Sequence, residues 1–118
     1  MSQINLDNLT EEQKKKIVEL NNLRQSFEFI NSQRMQIESS QRETEAAIEE
    51  LEKIQPENTV YKSIGGILVK SDRNKLLDEK KSLKISIEMR LKTLKQKEER
   101  VKNQLETMSK SLQADFQK

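Results

Sequence analysis

The stretch TVYKSIGGILVKSD, residues 59–72, decides the fold, because its composition differs from that of the rest of the chain. It contains both glycines of the protein, Gly65 and Gly66, together with its only tyrosine and a cluster of β-branched residues. The runs VYKSI and ILVK are rich in strand-forming residues. A glycine pair between two such runs favours a two-residue turn with positive φ at both positions. The stretch therefore predicts a β-hairpin.

The two-residue turn also fixes the register of the predicted hairpin. Counted outward from the turn, the expected pairs are Ile64 with Ile67, Ser63 with Leu68, Lys62 with Val69, and Tyr61 with Lys70. Because side chains alternate between the two faces of a strand, both faces carry apolar residues: Val60, Ile64, Ile67 and Val69 on one, and Tyr61 and Leu68 on the other.

Such a hairpin is not expected to be stable alone. An isolated two-stranded hairpin is only marginally stable in water and leaves two unpaired edges. The rest of the chain is predicted to be helical and therefore offers no strand to pair with it. We therefore expect the hairpin to pair with other chains. The predicted assembly element consists of Val60, Tyr61, Ile64, Gly65, Gly66, Ile67, Leu68 and Val69.

The segment before the hairpin predicts a long helix. Thr10 and Gln13 form a capping-box pattern at its start. From Leu20 to Leu51 the inward positions recur at alternating steps of three and four, as in a coiled coil. Pro56 then ends the helix, because proline lacks the N–H of the next backbone hydrogen bond.

The segment after the hairpin predicts a second helix of matching length. Ser71 or Asp72 can cap it, and the coiled-coil spacing runs from Leu77 to Leu112. Two helices of equal length with a short connection fold back antiparallel. This arrangement would set the acid-rich window 38–52 opposite the lysine-rich window 79–93.

The predicted fold class is therefore all-α dominated, a long antiparallel two-helix coiled coil joined by one β-hairpin. The chain would form a single domain over residues 1–118. Its predicted parts are a first helix at 10–55, a linker and hairpin at 56–71, and a second helix at 72–117.

Composition excludes several functional classes. Of the 118 residues, 32% are apolar and 36% are charged, which is too little apolar surface for a globular core but enough for one seam between helices. Cysteine and histidine are absent, and only 3% of residues are aromatic. These absences remove the usual nucleophiles, disulfides and metal ligands. We expect no enzyme, no cofactor and no metal site.

Charge and hydropathy further limit the partners and the cellular location that we expect for this protein. The net charge of +2 gives no electrostatic argument for binding nucleic acid. The first residues contain no apolar signal-peptide core, and nowhere do 18 apolar residues run together. We therefore expect a cytoplasmic protein that neither enters a membrane nor binds nucleic acid.

The hairpin VYKSIGGILVK between two helices, followed by KEERVKNQLETM, resembles the β-type subunits of the prefoldin family, also called the GimC co-chaperone. The similarity extends from about Leu20 to Phe116. Its most specific part is the hairpin, with its YK pair, its glycine and the following LVK. The α-type subunits of that family carry two hairpins and the β-type subunits one, and this chain has room for only one.

This resemblance implies both an assembly and an activity. Two α-type and four β-type subunits would form a hexamer, in which the hairpins build an intersubunit β-barrel. Such an assembly is an ATP-independent holdase. It binds non-native polypeptides at the coiled-coil tips, prevents their aggregation and delivers them to a group II chaperonin.

The tips would be built from residues 1 to about 25 and about 105 to 118. The predicted client-binding residues are Ile4, Leu6, Leu9, Ile17, Val18, Met108, Leu112 and Phe116. An alternative assigns some apolar residues of this region to packing between the helices, and it is the favoured interpretation for Leu20, Leu105, Met108 and Leu112.

Two other functions fit parts of the sequence. A structural or tethering coiled coil without client binding explains the heptads but not the apolar hairpin. A basic surface for nucleic acid or membrane is suggested by KKK at Lys14–Lys16 and by the lysines of residues 80–102. Acidic residues interleave with these lysines and aromatic residues are scarce, which is typical of a solvated helix face.

Overall fold

The structure is a computed structural model that describes residues 8–117. Its elements follow in the order α1 (Glu11–Lys53), β1 (Val60–Ile64), β2 (Ile67–Ser71) and α2 (Arg73–Phe116). The predicted pair of long helices joined by one hairpin is confirmed. The chain divides into two compact units. We call residues 8–33 and 94–117 the terminal unit, since they lie near the chain termini, and residues 34–93 the central unit.

Both helices begin at the caps that the sequence offers. At α1, the backbone N–H of Thr10 donates to Gln13 Oε1 at 2.9 Å, and that of Gln13 donates to Thr10 Oγ1 at 3.1 Å. This reciprocal pair is the predicted capping box. At α2, Asp72 rather than Ser71 is the cap, because its Oδ1 accepts from the backbone N–H groups of Asn74 and Lys75 at 2.8 and 3.2 Å.

The end of α1 is capped by a side chain from α2. The last carbonyls of a helix have no partner within the helix. Arg73 supplies one, because its Nε donates to the carbonyl of Leu51 at 2.8 Å and its Nη2 to that of Glu52 at 3.3 Å. The first residue of α2 is thereby bonded to the last turn of α1, a contact that the sequence patterns did not predict.

The hairpin has the predicted turn and register. Gly65 and Gly66 have φ values of 53° and 84°, which match a type I′ turn and are unfavourable for residues with a Cβ. The antiparallel pairs are Val60 with Ser71, Tyr61 with Lys70, Lys62 with Val69, Ser63 with Leu68, and Ile64 with Ile67. The last four pairs are those expected from the sequence.

The core of the central unit joins both helices to the hairpin. Its buried side chains come from α1, β1 and α2, and Ile54 packs against them; they are Ile48, Leu51, Val60, Leu76 and Leu77. At the edge of this core, Lys81 Nζ lies 3.8 Å from Glu52 Oε1. This ion pair connects the acid-rich window 38–52 with the lysine-rich window 79–93, which the sequence predicted to lie opposite each other.

The terminal unit is built from the start of α1 and the end of α2. Its buried apolar residues are Ile30, Leu94, Val101 and Leu112. Lys16 near the start of α1 contacts Asp115 near the end of α2, so the two segments run antiparallel here. Neither helix, within the part of the chain that the structure describes, is long and apolar enough to cross a bilayer.

Candidate functional site

The hairpin carries the densest group of exposed apolar side chains. Within residues 8–117, twelve large apolar side chains are exposed, and five of them lie in this short segment: Tyr61, Ile64, Ile67, Leu68 and Val69. Leu68 is 72% exposed, the largest fraction among them. A cluster of exposed apolar side chains of this kind is typical of protein–protein interaction sites. The backbone of a two-stranded sheet also leaves two edges available for pairing.

Val60 differs from the other residues of the predicted assembly element. It is only 7% exposed and belongs to the core of the central unit, with Leu51 and Leu77 among its neighbours. As the first residue of β1 it lies next to the helix ends, and the chain's own helices cover it. Val60 therefore anchors the hairpin to the helices and offers no surface to a partner in this structure.

An ion pair holds the same face of the hairpin against α2. Lys62 Nζ donates to Glu79 Oε2 at 2.9 Å. The hydrogen bond from Lys62 lowers the pKa of the Glu79 carboxyl, with the positive charges of Lys62, Lys75 and Lys80 acting in the same direction and desolvation opposing them. Together with Val60, this contact holds the start of β1 against α2 on one face of the hairpin. On the same face Ile64, Ile67 and Val69 remain exposed, and Tyr61 and Leu68 are exposed on the other face.

The Lys62–Glu79 contact predicts a pH effect. A carboxyl whose folded-state pKa is depressed stabilises the fold above its unfolded pKa, ordinarily 4.5, and loses this contribution as the pH falls through the folded value. In Lys62→Gln we expect the pKa of Glu79 to rise toward 4.5, measured by NMR titration of its side-chain carboxyl. Lys70→Gln, on the opposite face of β2, is the control. An unchanged Glu79 pKa in Lys62→Gln would contradict the assigned contact.

The predicted client-binding residues of the terminal unit differ in exposure. Val18 and Phe116 are exposed, Leu9, Ile17 and Met108 are half-buried, and Leu112 is buried at 6%. Leu112 packs inside the terminal unit, as the alternative based on helix packing predicted. Leu20 and Leu105, which the same alternative assigned to packing, are half-buried. Ile4 and Leu6 lie outside the described residues. The structure thus leaves Val18 and Phe116 as the most accessible apolar groups of this set.

A contact between α1 and α2 lies beside these residues. Lys16 Nζ donates to Asp115 Oδ2 at 2.9 Å and to Ser111 Oγ at 3.1 Å. The hydrogen bond to Asp115 raises the pKa of Lys16, with the negative charges of Asp115 and Glu12 acting in the same direction and desolvation opposing them. Lys16, the last lysine of the KKK run, is therefore engaged in an intrachain ion pair.

A long groove lies between α1 and α2 in the terminal unit. Its volume is about 1110 Å³. Seven of its lining side chains carry an amide or a hydroxyl: Asn22, Ser26, Gln96, Asn103, Gln104, Thr107 and Ser111. The others are the charged Lys16, Glu19, Glu99 and Arg100 and the half-buried Leu23 and Met108. We call it the terminal groove. The sequence reasoning missed it, although a signal exists, since Gln96, Asn103, Thr107 and Ser111 recur at helical spacing on α2.

Known proteins with similar sequences agree on one family. A family profile described as prefoldin subunit matches residues 14–118. The prefoldin subunit beta of Archaeoglobus fulgidus is 36% identical over 97 residues, covering 82% of this chain and 84% of that protein. The prefoldin subunit beta of Methanothrix thermoacetophila is 33% identical over 96 residues, covering 81% of this chain and 80% of that protein.

A solved structure has the same fold. The crystal structure of the prefoldin beta subunit from Thermococcus strain KS-1 superposes with a TM-score of 0.82, covering 92% of this chain and 95% of that one. The sequence identity is 22%, so this similarity concerns the fold alone.

Proposed function

Because the chain belongs to the prefoldin family, a family of chaperones rather than enzymes, we propose that it is a β-type subunit of an ATP-independent holdase. The assembly binds non-native polypeptides, prevents their aggregation and delivers them to a group II chaperonin. It works in the cytoplasm and binds neither nucleic acid nor membranes. The chain itself uses no cofactor and catalyses no reaction.

The hairpin is the assembly surface in this proposal. Its partners are an α-type subunit and further copies of this chain, in the ratio of two α to four β, and their hairpins together form an intersubunit β-barrel. The exposed side chains of Tyr61, Ile64, Ile67, Leu68 and Val69 support this role. Strand addition at the free edges would satisfy backbone groups, and the apolar faces would be covered at the same time.

The terminal unit is the client-binding region. The side chains of Val18 and Phe116 are apolar and exposed, so packing between the helices does not bury them. Half-buried Leu9, Ile17 and Met108 add apolar surface around them, and Met108 is flexible enough to fit unrelated partners. Ile4 and Leu6 remain predicted members of this surface. Weak contacts from several subunits would add up to useful avidity, since linked sites bind as a unit.

The exposed apolar hairpin is the observation that favours this proposal over a simpler alternative. A tethering coiled coil without client binding explains two paired helices. It does not explain why five large apolar side chains are exposed at the connection between them, where a short polar turn would join two helices equally well.

Loss of exposed apolar surface in the terminal unit is expected to weaken client holding. In the assembled complex, Val18→Ser together with Phe116→Ser should reduce aggregation suppression several-fold, because the apolar area offered to clients falls. The measurement is light scattering of an enzyme diluted from guanidinium chloride. Met35→Ser together with Met89→Ser is the matched control, since these two side chains are exposed to a similar degree in the central unit.

Two outcomes would argue against the client-binding assignment. Equal suppression by the wild-type and Val18/Phe116 complexes would show that these residues do not hold the client. Complexes that assemble but suppress no aggregation at all would instead favour the tethering coiled coil.

A further inference from the structure

We propose that Arg73 and Glu79, two residues of α2, position the hairpin for assembly by holding it in one orientation before it meets another subunit. Arg73 acts through the end of α1, and Glu79 acts through Lys62 of β1. We call these two contacts the hairpin brace. The inference rests on the proposed assembly at the hairpin, and it assigns control of that assembly to side chains outside the exposed apolar surface.

The other attachments of the hairpin do not fix its direction. Residues 54–59 lead into β1 without helix or strand, and Asp72 alone separates β2 from α2. Within residues 8–117, Val60 is the only hairpin side chain in the core cluster of the central unit. One apolar anchor fixes a point on β1, but the strand can still rotate about that point. Further contacts therefore have to set the direction of the hairpin.

Arg73 ties the end of β2 to α1. Its Nε donates to the carbonyl of Leu51 at 2.8 Å, its Nη2 to that of Glu52 at 3.3 Å, and its Nη1 to Asn74 Oδ1 at 2.9 Å. Hydrogen bonds from a guanidinium are charge-assisted, and its planar fork holds several acceptors in one geometry. Because Arg73 follows the last residue of β2 by two positions, this contact sets where β2 leaves the helices.

The Lys62–Glu79 pair holds β1 at a second point. Lys62 lies about 7 Å along the strand from Val60, and its Nζ donates to Glu79 Oε2 at 2.9 Å. Glu79 in turn lies about 9 Å along α2 from Arg73. The two side chains are 43% and 40% exposed, and an exposed ion pair contributes little to stability. Its main effect is therefore on orientation, since Val60, this pair and Arg73 hold the hairpin at three separate points.

A braced hairpin is expected to bind its partners more tightly than a loose hairpin with the same surface. Association costs free energy for every group that it orders, and a part that is already ordered avoids this cost. In the proposed β-barrel the strands align with those of other subunits, so a hairpin that rotates about Val60 has to be ordered first. Loss of the brace should weaken assembly about tenfold, although the exposed side chains of Ile64, Ile67 and Leu68 are unchanged.

Distances between two spin labels measure the orientation of the hairpin directly. The chain contains no cysteine, so Ser63→Cys in β1 and Thr93→Cys in α2 introduce the only two thiols. Both positions are exposed in the central unit, and Thr93 lies about 21 Å along α2 from Glu79. In the full chain, mixed with an excess of unlabelled chain, we expect one narrow distance distribution by pulsed electron paramagnetic resonance.

Matched variants connect that distribution with the brace. Arg73→Gln together with Glu79→Gln should broaden it about twofold, because a segment with few remaining contacts moves more. Arg90→Gln together with Glu88→Gln removes the same charges from exposed residues of α2, about 14 and 17 Å further along the helix than Glu79. This control should leave the distribution narrow.

A charge swap tests the brace in the assembly itself. The readout is the fraction of this chain in the full-mass particle, by native mass spectrometry, as the α-type subunit recovered with the tagged wild-type chain is added. Glu79→Lys should weaken assembly about tenfold, because two positive charges then repel each other. Glu79→Lys together with Lys62→Glu should restore assembly, since the ion pair forms with its charges exchanged. Val101→Ala removes buried apolar atoms from the terminal unit and should leave assembly unchanged.

The outcomes separate this inference from the proposed assembly. A distance distribution that stays narrow in Arg73→Gln/Glu79→Gln would overturn the brace, as would a charge swap that fails to restore assembly. Equal weakening by Val101→Ala and Glu79→Lys would overturn it too, because lost stability alone would then explain the effect. If the wild-type chain formed no particle with the α-type subunit, the proposed assembly would fail, and the distance measurement would still decide whether Arg73 and Glu79 hold the hairpin.

Discussion

Replacing Leu68 by aspartate is expected to abolish the complex with the α-type partner while leaving the chain itself folded. Leu68 lies on β2 opposite Ser63, on the face directed away from Val60 and α2, and is 72% exposed. A carboxylate at this position remains hydrated in the isolated chain. In a β-barrel formed with other subunits it would become a buried, unpaired charge, which costs about 3–5 kcal/mol. That amount corresponds to at least a hundredfold loss of affinity at each contact.

The measurement is the native mass of the complex isolated from its own cells through a tag on this chain. The wild type should give a particle with four copies of this chain and two of a larger helical partner, and Leu68→Asp should give the free chain. Met89→Asp is the matched control, because Met89 is 67% exposed on α2 and outside the hairpin. A full-mass particle from Leu68→Asp would exclude Leu68 from the interface. A wild-type monomer would favour the tethering coiled coil.

Truncation of Leu77 is expected to have the largest effect on stability. Leu77 is 6% exposed in the core of the central unit. Its side chain packs in a cluster of buried residues supplied by α1, β1 and α2, and truncating it leaves a cavity among them. Leu77→Ala should lower the free energy of unfolding by about 2–5 kcal/mol. Because Val60 packs in the same core, loosening of the hairpin should accompany the loss.

Urea unfolding followed by circular dichroism, at one fixed chain concentration, measures this effect. Leu83→Ala provides the control, since it is the same substitution on the same helix at a position that is 43% exposed. We expect the control to cost well under half as much. Equal midpoints for the two variants would show that the cluster around Leu77 does not stabilise the central unit.

The sequence alone determined the features that depend on neighbours along the chain. Two adjacent glycines specify the type I′ turn, and a two-residue turn leaves only one register for the flanking strands, so the predicted pairs from Ile64 with Ile67 to Tyr61 with Lys70 agree with the structure. The capping box of Thr10 and Gln13 is equally local. The family resemblance also came from these short motifs, and the profile match over residues 14–118 confirms it.

Only the tertiary structure decided which residues from distant parts of the chain contact one another. Val60 follows the same alternation as Ile64, yet it is buried because the helix ends lie over the start of β1. Arg73 caps α1 because α2 begins beside the last turn of α1. The terminal groove forms because residues of α1 and α2 that are far apart in the sequence line the same cavity. Periodicity shows which residues share a face of one element. It does not show which face a second element covers, since that depends on contacts between residues far apart in the chain.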